Sequence, residues 1–292
     1  MVRWGMRRID LHTHSTASDG CLTPTELVEH AARLGLAALA LTDHDTVAGL
    51  DEARAAAART GVELIAGCEL SVVWPVGFMH LLGLFLPEKP GRLLAAMDHL
   101  MDRRHDRNRR IVDKLRGLGL DITYDEVQAL AGEGSVGRPH LALALRAKGY
   151  VADVEQAFAE YLGTRGRAYV PKDQFTPEQA LAALKEEGAS TVLAHPFSLR
   201  ATGRVLENKV RKLKDMGLDG LECIYPEHSP DQTREYLRLA EKLDLAVTGG
   251  SDFHGAAVKP DIELGSGNGG LELPYSLLQG LKDRRARQGL PA

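Results

Sequence analysis

Along the chain, short apolar runs alternate with longer stretches whose apolar positions recur at helical spacing. Ile9 to Leu11 reads as a brief strand. Thr23-Pro24-Thr25-Glu26 then has the features of a helix start: an N-cap hydroxyl, Pro at the first helical position and a Glu placed to close a capping box. The helix it opens keeps Leu27, Ala31 and Leu34 on one face and stops at Gly35. Leu36 to Leu41 is a buried-strand candidate, and an Ala-rich helix follows from about Val47 to Thr60, stopped by Gly61. Val62 to Ile65 and Phe78 to Leu86 continue the strands, as do Thr191 to Ala194, Leu221 to Tyr225 and Leu245 to Thr248. Thr176-Pro177-Glu178-Gln179 and Ser229-Pro230-Asp231-Gln232 repeat the helix-start signal. Strands alternating with helices in this way predict a parallel α/β sheet closed as a barrel.

Residues 92–169 break the rhythm. Successive helical patterns (Leu93 to Leu118, Tyr124 to Ala131, His140 to Lys148, Val154 to Leu162) run there without a convincing strand. The expected organisation is a barrel begun by residues 1–91, a helical insertion over 92–171 and a barrel completed by 172–292. Tyr275 to Arg287 is a final amphipathic helix.

Composition narrows the class. Apolar residues make up 44% of 292 residues, too many for a disordered chain. No apolar run is long enough for a membrane span, and the opening Met-Val-Arg-Trp-Gly lacks a signal-peptide core, so a cytoplasmic protein is expected. Cys21, Cys68 and Cys223 show no paired spacing and read as small buried apolar residues. A net charge of −4 gives no general affinity for nucleic acid or anionic lipid. It is an average over unlike parts: residues 92–171 carry 13 Lys or Arg against 11 Asp or Glu, a net of +2.

The 11 His residues are the odd feature. His12 and His14 stand two apart at the end of the first strand, so both rings project from one face. Asp252 and His254 stand two apart after the last predicted strand, which neighbours the first in a closed barrel. Asp19 lies in the loop after His14, and His44 follows the second strand within Thr42-Asp43-His44-Asp45. Glu69 ends the third, His80 lies early in the fourth, and His195 precedes Pro196. A single His at a strand end more often caps or edges a core than binds metal. Nine His, Asp and Glu groups recurring where strands hand over to loops suit Zn, Mn or Fe at the active end of a barrel. On a regular strand Asp43 and His44 face opposite ways, so His44 is the ligand of the pair. Asp43 and Asp45 are expected to fix imidazoles from behind, with helix capping by Asp45 as the bland alternative.

His12-Thr13-His14-Ser15, Thr42-Asp43-His44-Asp45, Gly67-Cys68-Glu69, Ala194-His195-Pro196 and Ser251-Asp252-Phe253-His254-Gly255 together resemble the motifs of the PHP (polymerase and histidinol phosphatase) family. The resemblance implies a distorted (β/α)7 barrel with a helical insertion and a trinuclear metal site. It implies one metal on His12, His14, Glu69 and Asp252. It implies a second on Glu69, His80 and His195, with Glu69 bridging, and a third on Asp19, His44 and His254. Some members carry His where this chain has Asp19. Gly137-Arg138-Pro139-His140, Ala168-Tyr169-Val170-Pro171 and the insertion resemble the branch of nucleoside 3′,5′-bisphosphate phosphatases and 5′–3′ exoribonucleases.

Two or three divalent ions close together suit phosphate-ester hydrolysis by a metal-bound hydroxide. The phosphoryl charge then calls for cationic donors. Arg138 is the first choice, and His140 is a phosphate ligand or the proton donor to the leaving oxygen. Lys172 and Arg200 are further candidates, each otherwise an ordinary solvated charge. Arg103, Arg107, Arg110 and Lys114 follow helical spacing and can form a basic stripe for a polyanionic substrate, or pair with the interleaved Asp102, Asp106 and Asp113. The expected activity is removal of the 3′-phosphate from nucleoside 3′,5′-bisphosphates, with short RNA 5′ ends as a further substrate and no obligate protein partner. The alternatives are a histidinol phosphate phosphatase, a non-catalytic metal-binding scaffold, and an amidohydrolase. The scaffold is disfavoured because no ligand position is degenerate, and the amidohydrolase because Glu69, not a Lys, takes the bridging place.

Overall fold

The computed structural model describes residues 7–131, 136–171 and 173–291. In chain order the first elements are β1 (Ile9–Asp10), α1 (Pro24–Arg33), β2 (Ala38–Leu41), α2 (Leu50–Thr60), β3 (Glu63–Val72) and β4 (Met79–Leu84). Helices α3 (Gly91–Gly117), α4 (Tyr124–Ala131), α5 (Arg138–Ala147) and α6 (Val154–Ala157) follow, α6 running on into a wider turn at Phe158–Leu162. The chain returns through α7 (Pro177–Glu186), β5 (Ser190–Leu193), α8 (Gly203–Asp215), β6 (Gly220–Ile224), α9 (Pro230–Lys242), β7 (Ala246–Gly249) and α10 (Tyr275–Arg287). These form two compact units, Met1–Ala96 with Phe175–Ala292, and Met97–Gln174.

In the first unit the strands form one sheet in sequence order, β1 to β7. All three Pro-initiated starts read from the sequence close their capping boxes, through Thr23, Thr176 and Ser229. Helix α8 has no such signal, since Thr202 makes no capping bond, and the sequence pattern did not reveal it. Leu34, expected on the buried face of α1, is instead its exposed C-cap. The expected all-parallel order fails at β4, which pairs antiparallel with both β3 and β5. The 73–78 connection is too short for a crossover helix, so β4 must turn back along β3. This reversal brings the start of β4, where His80 stands, to the end of the sheet at which the parallel strands finish.

The barrel closes in two places. Thr13 bridges Phe253 in parallel, Asp252 N–H donates to His12 O (2.9 Å) and His14 N–H donates to Phe253 O (2.9 Å). At the other end Ile9 N–H donates to Leu273 O (2.9 Å). Ile9, Ala38, Ala40, Ile65, Leu82 and Val192 form the core there, joined by Leu278 and Leu281 of α10.

The second unit has its own core, with Ile111, Leu115, Val127, Leu141, Leu145 and Leu162 at its centre. Among the described residues no helix is long and apolar enough to cross a membrane. Cys68 and Cys223 are buried as expected, whereas Cys21 is exposed.

Candidate metal centre

Glu69 is the hub. Its carboxylate, 1% exposed, points from β3 into the strand-loop end of the barrel. His12 Nε2, His14 Nε2 and His44 Nδ1 each lie 3.2 Å from its Oε2. His80 Nδ1 (2.8 Å) and His195 Nε2 (3.1 Å) face its Oε1. Asp252 Oδ1 completes the inner ring, 3.1 Å from His14 Nε2 and 3.5 Å from His12 Nε2. Asp19 and His254 form the outer edge, His254 Nε2 standing 3.3 Å from Asp19 Oδ1, and the Asp19 side chain is 54% exposed. All nine residues expected as ligands therefore converge on one end of the barrel.

Local structure explains the convergence. Between His12 and His14 the Thr13 hydroxyl turns the other way and donates to Ala40 O (2.6 Å), which fixes the alternation. Asp43 holds the loop after His14, accepting from Ser15 N–H (2.7 Å), Ser15 Oγ (2.7 Å) and Ser18 Oγ (2.6 Å). Asp45 accepts from Ser71 N–H (2.8 Å) and so ties the 43–45 turn to β3, while α2 is capped from Gly49. Asp45, His195 and Asp252 all have left-handed backbone, with φ of 52°, 25° and 53°. That conformation is costly for residues other than glycine and concentrates where side chains must be aimed.

Three supporting residues escaped the sequence reading. Glu222, buried on β6, accepts from His195 N–H (2.7 Å) and contacts His12 Nδ1 (3.0 Å). This contact keeps a proton on His12 Nδ1, so that Nε2, beside Glu69, is the nitrogen left to bind a metal. Tyr225 donates to Asp252 Oδ2 (2.8 Å) and Lys259 Nζ reaches the same oxygen (2.6 Å), so only Oδ1 of Asp252 faces inward. His254 Nδ1 is likewise engaged with Asp252 O (2.8 Å), freeing its Nε2.

Several of the inward atoms are without partners. His12 Nε2, His14 Nε2, His44 Nδ1, His80 Nδ1, Glu69 Oε2 and Asp252 Oδ1 are buried and make no hydrogen bond. Buried polar atoms are ordinarily satisfied, so several orphans pointing at one another mark a site for cations. Among the described residues, three groups have ligand atoms within 4.8 Å of one another: His12, His14, Glu69 and Asp252; His14, Asp19, His44 and His254; and His44, Glu69 and His80. The first matches the set implied by family resemblance. In the other two His44 and His14 are shared more widely than expected, and His195 approaches through Glu69 Oε1. Imidazole nitrogens mixed with carboxylate oxygens fit a divalent transition metal.

Electrostatics agree. Burial opposes charge on His14, but Asp252 and Glu69 outweigh it and raise its pKa to about 9. Burial also opposes protonation of His12, and Glu222, Glu69 and Asp252 overcome it to hold the ring well above its ordinary value. For His44 burial dominates, with His14 and His80 adding to it, and the pKa falls to about 4. Burial works against ionised Glu69, yet His44, His12 and His80 hold it well below the carboxylate range. The surrounding carboxylates thus favour positive charge at His12 and His14, the charge that a bound cation would supply.

The remaining expected residues have partners within their own units or are exposed. Arg200 is exposed, with left-handed backbone after the Pro196–Leu199 turn. Within the helical unit Arg138 donates to Leu162 O (3.3 Å) and lies over the Phe158 ring. His140 Nδ1 accepts from Gly137 N–H (3.1 Å), which leaves Nε2 to carry the ring proton. Arg107 is buried and donates to Val170 O (2.9 Å), Arg103 pairs with Asp173 and Lys114 donates to Tyr169 O (2.7 Å). These three basic residues of the stripe thus tie α3 to the 169–173 segment, and Arg110 is exposed. Lys172 lies outside the described residues.

Residues 10–170 match the PHP domain model. A 5′-3′ exoribonuclease of Haemophilus influenzae is 38% identical over 85% of this chain and 90% of its own length. A 3′,5′-nucleoside bisphosphate phosphatase of Chromobacterium violaceum is 34% identical over 85% of this chain and 88% of its own. Among solved structures, a Bifidobacterium adolescentis protein described as a metal-dependent phosphoesterase superposes with a TM-score of 0.74 at 33% identity, covering 94% of this chain and 96% of that one. With nine candidate ligands gathered at one end of the barrel and relatives matching over most of its length, the chain belongs to the PHP family and is a metal-dependent phosphoester hydrolase.

Proposed function

We propose that this hydrolase removes the 3′-phosphate of nucleoside 3′,5′-bisphosphates, using two or three divalent ions drawn from Mn, Zn and Fe. The observation that carries the chemistry is the convergence of nine candidate ligand side chains, Glu69 among them, at one end of the barrel. Support for the substrate comes from the Chromobacterium violaceum relative. Bound there, divalent ions supply Lewis acidity toward water and toward phosphoryl oxygens.

The chain's own residues set the frame for that chemistry. Glu222 keeps the His12 proton on Nδ1, away from Glu69. Tyr225 and Lys259 restrict Asp252 to one inward oxygen. His254, with Nδ1 engaged by backbone, turns Nε2 toward Asp19 at the exposed edge. On motif grounds Arg138 is proposed to bind the phosphoryl group, and His140, whose Nε2 carries the proton, to bind phosphate or protonate the leaving oxygen. Arg200, Arg110, Arg107 and Lys172 are proposed as further phosphate contacts, with Arg107 the weakest because its Nε is engaged by Val170 O.

A second reading has one specific support, the exoribonuclease of Haemophilus influenzae: attack on short RNA from the 5′ end by the same centre. The test compares turnover of adenosine 3′,5′-bisphosphate, histidinol phosphate and 5′-phosphorylated short RNA with Mn, Zn and Fe supplied separately. Preference for the bisphosphate, lost on chelation and in His12→Ala, is the expected result. Undiminished turnover in a verified metal-free enzyme would overturn the chemistry, and preference for histidinol phosphate would overturn the substrate.

A further inference from the structure

The 73–78 connection between β3 and β4 is anchored and yet apolar on its outside. Val73 N–H donates to Phe175 O (2.8 Å), and Phe78 N–H donates to Ser198 O (3.1 Å). Gly77, at φ 77°, passes so close to the 198 carbonyl that a Cβ would lie 2.0 Å from that oxygen. Lys209 of α8 stands over the Trp74 ring, 4.5 Å from its centroid. With its backbone held at both ends, the connection still leaves Val73, Val76 and Phe78 exposed, Phe78 at 47%.

Phe78 differs from its two exposed neighbours in where its ring lies. Its centroid is 5.2 Å from the His80 ring and 5.5 Å from the His195 ring, and both of those rings contact Glu69 Oε1. A phenyl ring half in water gains little for folding, whereas a fixed one offers a flat face to another ring system at small entropic cost. An ester phosphorus held against the Glu69 cluster leaves the rest of its nucleoside within reach of this rim. Arg200 lies on the same side, its Cγ 3.2 Å from the point a Gly77 Cβ would occupy. The exposed patch therefore sets an aromatic plate against two imidazoles of the reacting centre, with the stem of Arg200 beside the same connection, a combination that suits an anionic ligand carrying a planar ring.

From this we infer that Phe78 is the stacking platform for the substrate's nucleobase, and so the residue that favours nucleotides over other phosphate monoesters. The inference rests on the substrate class proposed above. Alternatively, the ring is a wall that shields the His80 and His195 imidazoles; in that case its loss acts through the metals and affects every substrate alike.

The experiment measures kcat and KM on adenosine 3′,5′-bisphosphate and on its abasic counterpart, 1,4-anhydroribitol 3,5-bisphosphate, for the metal-loaded enzyme and its Phe78→Ala, Phe78→Leu and Phe78→Trp variants. Stacking predicts that the ratio of kcat/KM for nucleotide over abasic substrate falls about tenfold in Phe78→Ala. The fall appears in KM, persists in Phe78→Leu and is reversed in Phe78→Trp. An unchanged ratio in Phe78→Ala, or full rescue by Leu, overturns the platform while leaving the substrate proposal standing. Failure of the unsubstituted enzyme to turn over the adenosine compound overturns both.

Discussion

Replacing Glu222 with Gln tests how the centre is held rather than what it binds. The carboxylate serves two hydrogens at once, the His195 N–H at 2.7 Å and the His12 Nδ1 side at 3.0 Å. A glutamine amide has the same shape but only one oxygen. If that oxygen stays with the His195 N–H, the amide NH2 faces His12 Nδ1 and drives the ring proton to Nε2, 3.2 Å from Glu69 Oε2, where a metal needs a lone pair. If the amide flips, the buried His195 N–H loses its acceptor, at a cost of about 1–3 kcal/mol. Either arrangement weakens the centre. Changes to such supporting groups typically cost about 10- to 100-fold in metal affinity, or about 1.4–2.7 kcal/mol. The assay is a competitive titration of Zn or Mn against a chelator for the parent and for Glu222→Gln, with circular dichroism to show that the fold is intact. Affinity within twofold of the parent would refute the reasoning, since it would mean that the tautomer of His12 is set elsewhere.

Four more predictions rest on the same geometry. Because burial opposes but Asp252 and Glu69 sustain a His14 pKa of about 9 in the metal-free protein, metal binding at pH 7.5 must displace protons, and calorimetry in buffers of differing ionisation enthalpy should show their release. The raised pKa stabilises the metal-free fold fully below the ordinary value of 6.5, and that contribution is lost as pH rises through 9; a metal-free Tm that climbs over this window would contradict it. Gly250→Ala places a Cβ 2.3 Å from His12 Cβ and 2.6 Å from its backbone N, so the barrel seam must open, costing about 1–3 kcal/mol in thermal unfolding and weakening metal binding together. Lys259→Met should weaken metal binding less than Glu222→Gln does, because the Tyr225 hydroxyl still holds Asp252 Oδ2; adding Tyr225→Phe should then cost more than the two single changes combined, measured by the same titration.

What the sequence revealed and what it concealed differ by the range of the physics involved. Thr23, Thr176 and Ser229 were readable because a capping box lies within four residues of chain. The nine candidate ligands were readable because charged and imidazole side chains recur where apolar strands meet their loops. His14 and His44 could be named as ligands, but not shared between groups, since that sharing depends on side chains from different strands meeting around Glu69. The direction of β4 was hidden for a similar reason: periodicity is blind to strand polarity, and only the shortness of the 73–78 connection hinted at it. Glu222 is the most instructive omission. Leu221 to Tyr225 reads as a strand from its apolar residues, the structure buries it, and a carboxylate inside such a strand is too costly to be incidental. It demands a partner that the strand itself cannot supply, so its presence already implied a polar site on that face of the barrel. The same argument applies to Asp10, fully buried on β1, which accepts from Ser251 N–H (2.9 Å) and Gly265 N–H (2.8 Å) and fixes the loop from which Asp252 is aimed. In both cases a buried acid amid apolar neighbours marks the framework of the metal centre as surely as the histidines mark its interior.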